Sequence, residues 1–207
     1  MEPNAAAEHL QVIRTLMERS ALYRRTLAPI MLYVGSVGTL AGLGGLAIGI
    51  DALAPFYAWW LSAAALALAG AFFIARRQAV RDGERFWSPP TLRVAEAMAP
   101  HLAAGLVLSL ALLMFGAAPP RGLFVLASAL FYGCAVHAAG FFMPRGMKLF
   151  GWIVILVSAA GSAGLAVLEP SIPGPRLAHA VMGCVFGVLH LAYGAYLYGT
   201  ERRETDA

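Results

Sequence analysis

Six long apolar runs alternate with short polar segments along this chain and predict its architecture. Each run is close to the ~20 residues that a helix needs to cross the ~30 Å hydrocarbon core of a bilayer. We predict an all-α membrane protein, a bundle of six transmembrane helices at residues 27–50, 55–75, 96–117, 122–143, 148–168 and 177–199. Only 13% of the residues are charged, about half the share in soluble chains, so a single membrane domain takes up nearly the whole length.

Residues 1–26 precede the first run and are amphipathic rather than apolar. Apolar side chains cover about half of a helical wheel over residues 5–26, and mostly charged or amide side chains cover the other half. We predict a cytoplasmic amphipathic helix here, with Asn4 as its N-cap. Such a helix lies in the headgroup region, docks on a partner, or packs against its own bundle. Residues 200–207 are predicted to form a cytoplasmic tail.

The basic residues are distributed unequally between the two ends of the predicted bundle. Of the 15 Lys and Arg residues, all but Arg121 and Arg176 fall on one side of the six-helix arrangement, five of them in the long connection 76–95. The positive-inside rule then places both termini in the cytoplasm. Because this topology accounts for the net charge of +4, we expect no direct nucleic-acid binding.

Stripes of small residues run along the fourth and sixth runs, and each stripe contains histidine. At about 100° per residue, His179 and His190 share a face with glycines of the sixth run, and His137 does so on the fourth. Small residues let neighbouring helices approach closely in a membrane, as in the GxxxG motif. We therefore predict helix packing at five glycines: Gly183, Gly187, Gly194, Gly133 and Gly140.

Four segments together resemble a family of small bacterial integral membrane proteins that span the membrane several times and have no assigned activity. They are IRTLMERS at 13–20, 86–105, 132–152 and FGVLHLAYGAYLY at 186–198. The resemblance implies a multi-pass protein of the bacterial inner membrane. Members of that family are often encoded beside a small winged-helix regulator, which implies a regulatory or stress-linked role. The resemblance supplies no ligands, and the Ala/Gly-rich fifth run departs from it.

The interiors of the six runs contain no Asp, Glu, Lys or Arg. Ion-coupled pumps and carriers generally need such a group near the middle of the membrane, so this class is disfavoured. No phosphate loop, HExxH, nucleophile elbow or CxxC motif occurs either. We therefore predict a protein that is not an enzyme.

Histidines are the remaining candidates for chemistry. His137, His190 and His101 come from three different runs and fall in the same predicted leaflet. A b-type haem between His137 and His190 is the sharpest cofactor hypothesis, and a transition-metal site of His137, His190 and Cys134 is another. A structural role, with each imidazole hydrogen-bonded across a helix contact, is favoured over both. Both cysteines lie inside apolar runs, so we predict free thiols rather than a disulfide.

These patterns lead to three functional hypotheses. The first is a non-enzymatic membrane protein that acts through a protein partner on its cytoplasmic face, residues 5–26 and 76–95, as a regulatory component or a small subunit of a larger complex. The second is a haem- or metal-binding redox or sensor protein, and the third is a facilitator for a small neutral solute. Small-residue spacing in the fifth run suits either internal packing or a homo-oligomer. Aromatic residues at the ends of the second and sixth runs predict interfacial belts, with a quinone or lipid pocket as the alternative.

Overall fold

Every regular element in the described residues of the computed structural model is a helix. The structure describes residues 27–83, 85–115, 121–143, 146–168 and 174–205. The prediction of an all-helical chain is confirmed there, and the number of helices fits the six apolar runs. The amphipathic helix predicted at 5–26 lies outside the described residues. The helices are α1 (Leu27–Ile48), α2 (Leu53–Arg81), α3 (Pro89–Phe115), α4 (Arg121–Ala139), α5 (Gly146–Leu168), α6 (Gly174–Gly183) and, after a π-helical turn at Cys184–Val188, α7 (Leu189–Thr205).

Four of these helical stretches are long and apolar enough to cross a membrane: Leu27–Ile48, Leu53–Arg81, Pro89–Met114 and Gly174–Thr200. Two shorter apolar stretches, Phe124–Ala139 and Gly146–Gly161, lie within α4 and α5. Several long apolar helices are what a multi-pass membrane protein requires, because helices satisfy their own backbone hydrogen bonds in lipid.

The long connection predicted at 76–95 is mostly helical. α2 continues through Arg76 and Arg81 and stops at Asp82, after which Gly83 has a positive φ of 66°, the left-handed conformation that commonly follows a helix. α3 begins at Pro89, where proline's missing N–H costs nothing. Hydropathy marks where apolar side chains stop, whereas arginine and alanine are good helix formers and let the helix continue. We call the end of the bundle at which α2 stops and α3 starts the basic end.

α1 and the last helix (α6, the π-helical turn and α7) pack closely against each other in antiparallel directions. Gly194 lies beside Leu32, Gly187 beside Thr39 and Gly183 beside Gly42. A Cβ at Gly187 would lie 2.6 Å from the Thr39 backbone nitrogen, so only glycine allows this approach. The start of α1 and the end of α7 therefore lie at the basic end.

α4 and α5 form an antiparallel hairpin, and α3 packs on the other side of α4. Gly133 faces Gly151 and Ile155, and Gly140 faces the backbone of Lys148. The structure thus places all five glycines of the packing prediction at helix contacts. Two buried clusters fill the bundle: one near the basic end contains Leu27, Val136, Phe150 and Leu197, and the other contains Phe56, Tyr57, Phe124 and Met182.

α2 is held mainly by α1 and is otherwise loosely packed. The Tyr33 hydroxyl donates to the Leu66 carbonyl at 3.1 Å, and the Trp59 indole N–H donates to the Ala41 carbonyl at 2.9 Å. Only 6% of the residues in the most apolar stretch of α2 are buried, compared with 33% for α1, and α2 touches α3 sparsely. A gap therefore separates most of α2 from the rest of the bundle.

Candidate ligand-binding site

The gap beside α2 is a cavity of about 720 Å³, which we call the slot. Its walls come from α1, α2, α3, α4 and the last helix. This volume lies within the ~300–1,000 Å³ of ordinary small-molecule pockets. The slot is therefore large enough for one ligand.

The slot is long and narrow rather than round. Along α2 its lining extends from Trp60 to Asp82, which at 1.5 Å per residue is ~33 Å. That length matches the ~30 Å hydrocarbon thickness of a bilayer. An extended chain fills such a space better than a compact solute does.

Small side chains on α2 face long, flexible side chains on the opposite walls. Seven alanines line the slot on α2: Ala63, Ala64, Ala65, Ala67, Ala71, Ala75 and Ala79. All the methionines in the described part of the chain except Met114 also line it: Met31, Met98, Met143, Met147 and Met182. Methionine adapts its shape and is common at surfaces that accept varied apolar ligands. These walls suit a hydrocarbon ligand.

Three polar groups deep in the slot already have partners within the protein. The Trp60 indole N–H donates to His179 at 3.1 Å, the Ser109 hydroxyl donates to the Gly105 carbonyl at 2.7 Å, and the Tyr132 hydroxyl bonds His190 at 2.7 Å. These three donors are therefore not free to hydrogen-bond a polar solute, and Ser128 is the other polar side chain of the deep wall. Polar side chains gather instead at the basic end of the slot, which we call its mouth: Gln78, Asp82, Arg85, Ser88 and Thr91.

His190 is fully buried, and both of its ring nitrogens are engaged. Its Nδ1 lies 3.0 Å from the Val185 carbonyl, and a carbonyl only accepts, so Nδ1 carries the proton. Nε2 is then the lone-pair nitrogen and accepts from the Tyr132 hydroxyl. Phe150 packs edge-on at 4.9 Å from the imidazole.

The π-helical turn explains why the Val185 carbonyl is available. In an α-helix the Leu189 N–H would donate to Val185, but here it donates to Cys184, one residue further back. The wider turn leaves the Val185 carbonyl for the imidazole of His190. Such turns often occur at functional positions, and this one places a buried imidazole against Tyr132, a wall residue of the slot.

His179 has a similar structural environment at the opposite end. Its Nδ1 accepts from Trp60, and its Nε2–H donates to the Ile50 carbonyl at 3.2 Å. The ring packs against Gly45 and lies 4.7 Å from Phe56. His179 therefore ties the α1–α2 connection to α6.

The remaining predicted ligands line a separate open cleft between α3, α4 and α5. His101, Cys134 and His137 all border it. His101 Nδ1 donates to the Ala97 carbonyl at 3.2 Å, and His137 Nδ1 donates to the Lys148 carbonyl at 3.3 Å. Across the described residues, no three His, Cys, Asp or Glu side chains lie close enough to hold a metal ion. The structure thus does not unite His137, His190 and Cys134 as three ligands.

The haem hypothesis finds no support in this geometry. Iron needs the free lone pair of an imidazole nitrogen, and His190 gives that lone pair to Tyr132. His137 instead lies against Trp152 and Phe141 beside the open cleft. The two histidines therefore do not face each other across a shared pocket.

The sequence interpretation named a quinone or lipid pocket only as an alternative and did not locate the slot, although two features pointed toward it. The alanine-rich run at 63–71 and the number of internal methionines are both visible in the sequence. An alanine face on a membrane helix has two explanations, close packing or an open space. Only the position of the neighbouring helices decides between them.

No protein-family profile, curated protein or solved structure matches the chain. The resemblance to a family of small bacterial membrane proteins therefore stays a prediction.

Proposed function

We propose that this chain is a multi-pass membrane protein that binds one long lipophilic molecule in the slot and performs no chemistry on it. The observation that carries the proposal is the shape of the slot, ~33 Å long at 1.5 Å per residue and walled by alanine and methionine. A long hydrocarbon chain gains dispersion contacts along that whole length. A small neutral solute would leave most of the length empty.

Entry from the side, between α2 and α3, is part of this proposal. α2 is sparsely packed on α3 and is little buried, so a ligand already dissolved in the bilayer reaches the slot without crossing water. The resemblance to small bacterial membrane proteins implies the bacterial inner membrane, and the arginine distribution favours cytoplasmic termini.

The proposed role is regulatory and depends on a partner. The mouth of the slot lies within 76–95, the segment we expect to contact a protein partner, and Arg76, Arg77 and Arg81 are exposed there. A bound chain that separates α2 from the bundle would change the surface presented at this end. The protein would then report the presence of its ligand.

Binding of hexadecanol to protein in nanodiscs of neutral lipid tests the proposal. Ala71→Phe places a large ring inside the slot, because Ala71 is a lining residue. Ala69→Phe is the matched control, because Ala69 is exposed and does not line the slot. We expect Ala71→Phe to weaken binding at least about fivefold, since overpacking costs ~1–3 kcal/mol, and Ala69→Phe to bind like the unaltered protein. Equal binding by both variants, or no binding above partition into empty nanodiscs, would overturn the proposal.

A further inference from the structure

The charged groups that line the slot, Asp82 and Arg85, both lie at one end. Gln78, Asp82, Arg85, Ser88 and Thr91 form the mouth, whereas the walls beyond it are dominated by alanine, leucine, methionine and phenylalanine. A ligand complementary to this surface has one polar end and a long apolar remainder. The slot therefore favours an amphiphile over a pure hydrocarbon.

Most polar side chains of the mouth are already engaged with one another. The Gln78 amide nitrogen lies 3.2 and 3.1 Å from the two carboxylate oxygens of Asp82. The hydroxyls of Ser88 and Thr91 are 3.1 Å apart. Arg85 is exposed and forms no ion pair with any carboxylate in the described part of the chain. Its guanidinium is the charged donor that the mouth offers to a ligand.

A carboxylate fits this mouth better than a phosphate. The guanidinium of arginine matches either group through paired hydrogen bonds. A phosphate monoester, however, carries about −1.5 to −2 charges near neutral pH, and the Asp82 carboxylate lines the same mouth. One guanidinium beside one resident carboxylate therefore suits an anion with a single charge.

The volume of the slot is large enough for one long chain. At roughly 30 Å³ for each water-sized group, 720 Å³ holds about 24 such groups. A long-chain fatty acid has about that many non-hydrogen atoms, and a two-chain phospholipid has about twice as many.

We propose that the ligand is a long-chain fatty acid, with its chain along the alanine face of α2 and its carboxylate bound by Arg85. This inference rests on the proposed function, because it names the ligand class of the same slot.

The test compares hexadecanoic acid, hexadecyl phosphate and hexadecanol in the same neutral nanodiscs, at a pH where the carboxyl carbon NMR shift shows an ionised acid. Solvent screens an ion pair formed by an exposed guanidinium, so the acid should bind up to about fivefold more tightly than the alcohol. Arg85→Gln should abolish that preference by weakening the binding of the acid more than the binding of the alcohol, and Arg85→Lys should keep part of it. Arg77→Gln is the control, because Arg77 is exposed and lies outside the slot lining. Asp82→Asn should strengthen acid binding by removing a like charge.

The outcomes separate the two proposals. Equal affinity for acid and alcohol, both blocked by Ala71→Phe, leaves the lipophile site in place and overturns the fatty-acid assignment. Tighter Arg85-dependent binding of hexadecyl phosphate than of hexadecanoic acid also overturns it, in favour of a phosphate head group. Binding that Ala71→Phe does not affect overturns the proposed function itself.

Discussion

The close contact between α1 and the last helix gives the sharpest prediction about stability. Gly187→Ala adds one methyl group where an ideal Cβ would lie 2.6 Å from the Thr39 nitrogen and 2.8 Å from the Thr39 Cα. Ordinary contacts of a Cβ fall at 3.4–4 Å, so the two helices must separate by about 1 Å, a shift that a close-packed interior resists. Backbone atoms cannot rotate aside as a flexible side chain does.

Two effects of opposite sign determine the size of the change. Overpacking costs ~1–3 kcal/mol, and the upper end applies because the overlapped atoms belong to the backbone. Alanine is intrinsically about 1 kcal/mol better than glycine inside a helix. We therefore expect Gly187→Ala to lower the free energy of unfolding by about 2 kcal/mol.

Gly199→Ala is the matched control, because a Cβ at Gly199 meets nothing within 4 Å. Only the helix propensity term remains there, so this variant should be more stable than the unaltered protein by up to about 1 kcal/mol. Equilibrium unfolding in mixed detergent micelles, followed by tryptophan fluorescence, measures both. The interpretation of the α1 contact is wrong if Gly187→Ala proves as stable as Gly199→Ala.

Two further predictions concern the buried imidazole and the orientation of the chain. Tyr132→Phe removes the hydroxyl that donates to His190 at 2.7 Å and should lower the free energy of unfolding by about 1 kcal/mol, the size found for hydrogen bonds within membranes. Tyr198→Phe, at a residue 58% exposed, should leave the free energy of unfolding unchanged in the same assay. For orientation, Arg176→Cys in a background without the native cysteines should react with an impermeant maleimide on intact cells. Trp87→Cys should react only after the cells are opened, and the reverse pattern would contradict cytoplasmic termini.

Hydrophobic periodicity was sufficient to predict the helical class and the small-residue contacts, because both depend on properties local to one helix. It placed the ends of α2 and α3 less well. The sequence 76–81 is charged but still favours a helix, and charge was taken as the end of the apolar run. Arg85 was counted only as an orientation signal, and its place at the mouth of the slot became apparent only from the neighbouring helices.

Two other features depend on relations between helices that no single run displays. At the π-helical turn Cys184–Val188 the backbone hydrogen bond spans five residues rather than four. The turn lies within a continuous apolar stretch, and its amino-acid composition does not distinguish it from an ordinary α-helix. The pairing of Tyr132 with His190 joins residues far apart in the chain. The sequence favoured structural histidines over ligands, and the hydrogen bonds of His179 and His190 are of that kind. No sequence feature distinguished Tyr132, the hydrogen-bond partner of His190, from the other tyrosines.

The loose packing of α2 against α3 determines which quantity this protein would sense. A site entered from within the bilayer comes to equilibrium with the mole fraction of its ligand among the membrane lipids, not with its concentration in water. A poorly soluble fatty acid that is nearly absent from the cytosol would still occupy the slot once it reaches a sufficient share of the leaflet. A change in membrane composition alone, with no change in the amount of free fatty acid in solution, would then alter the state of the protein.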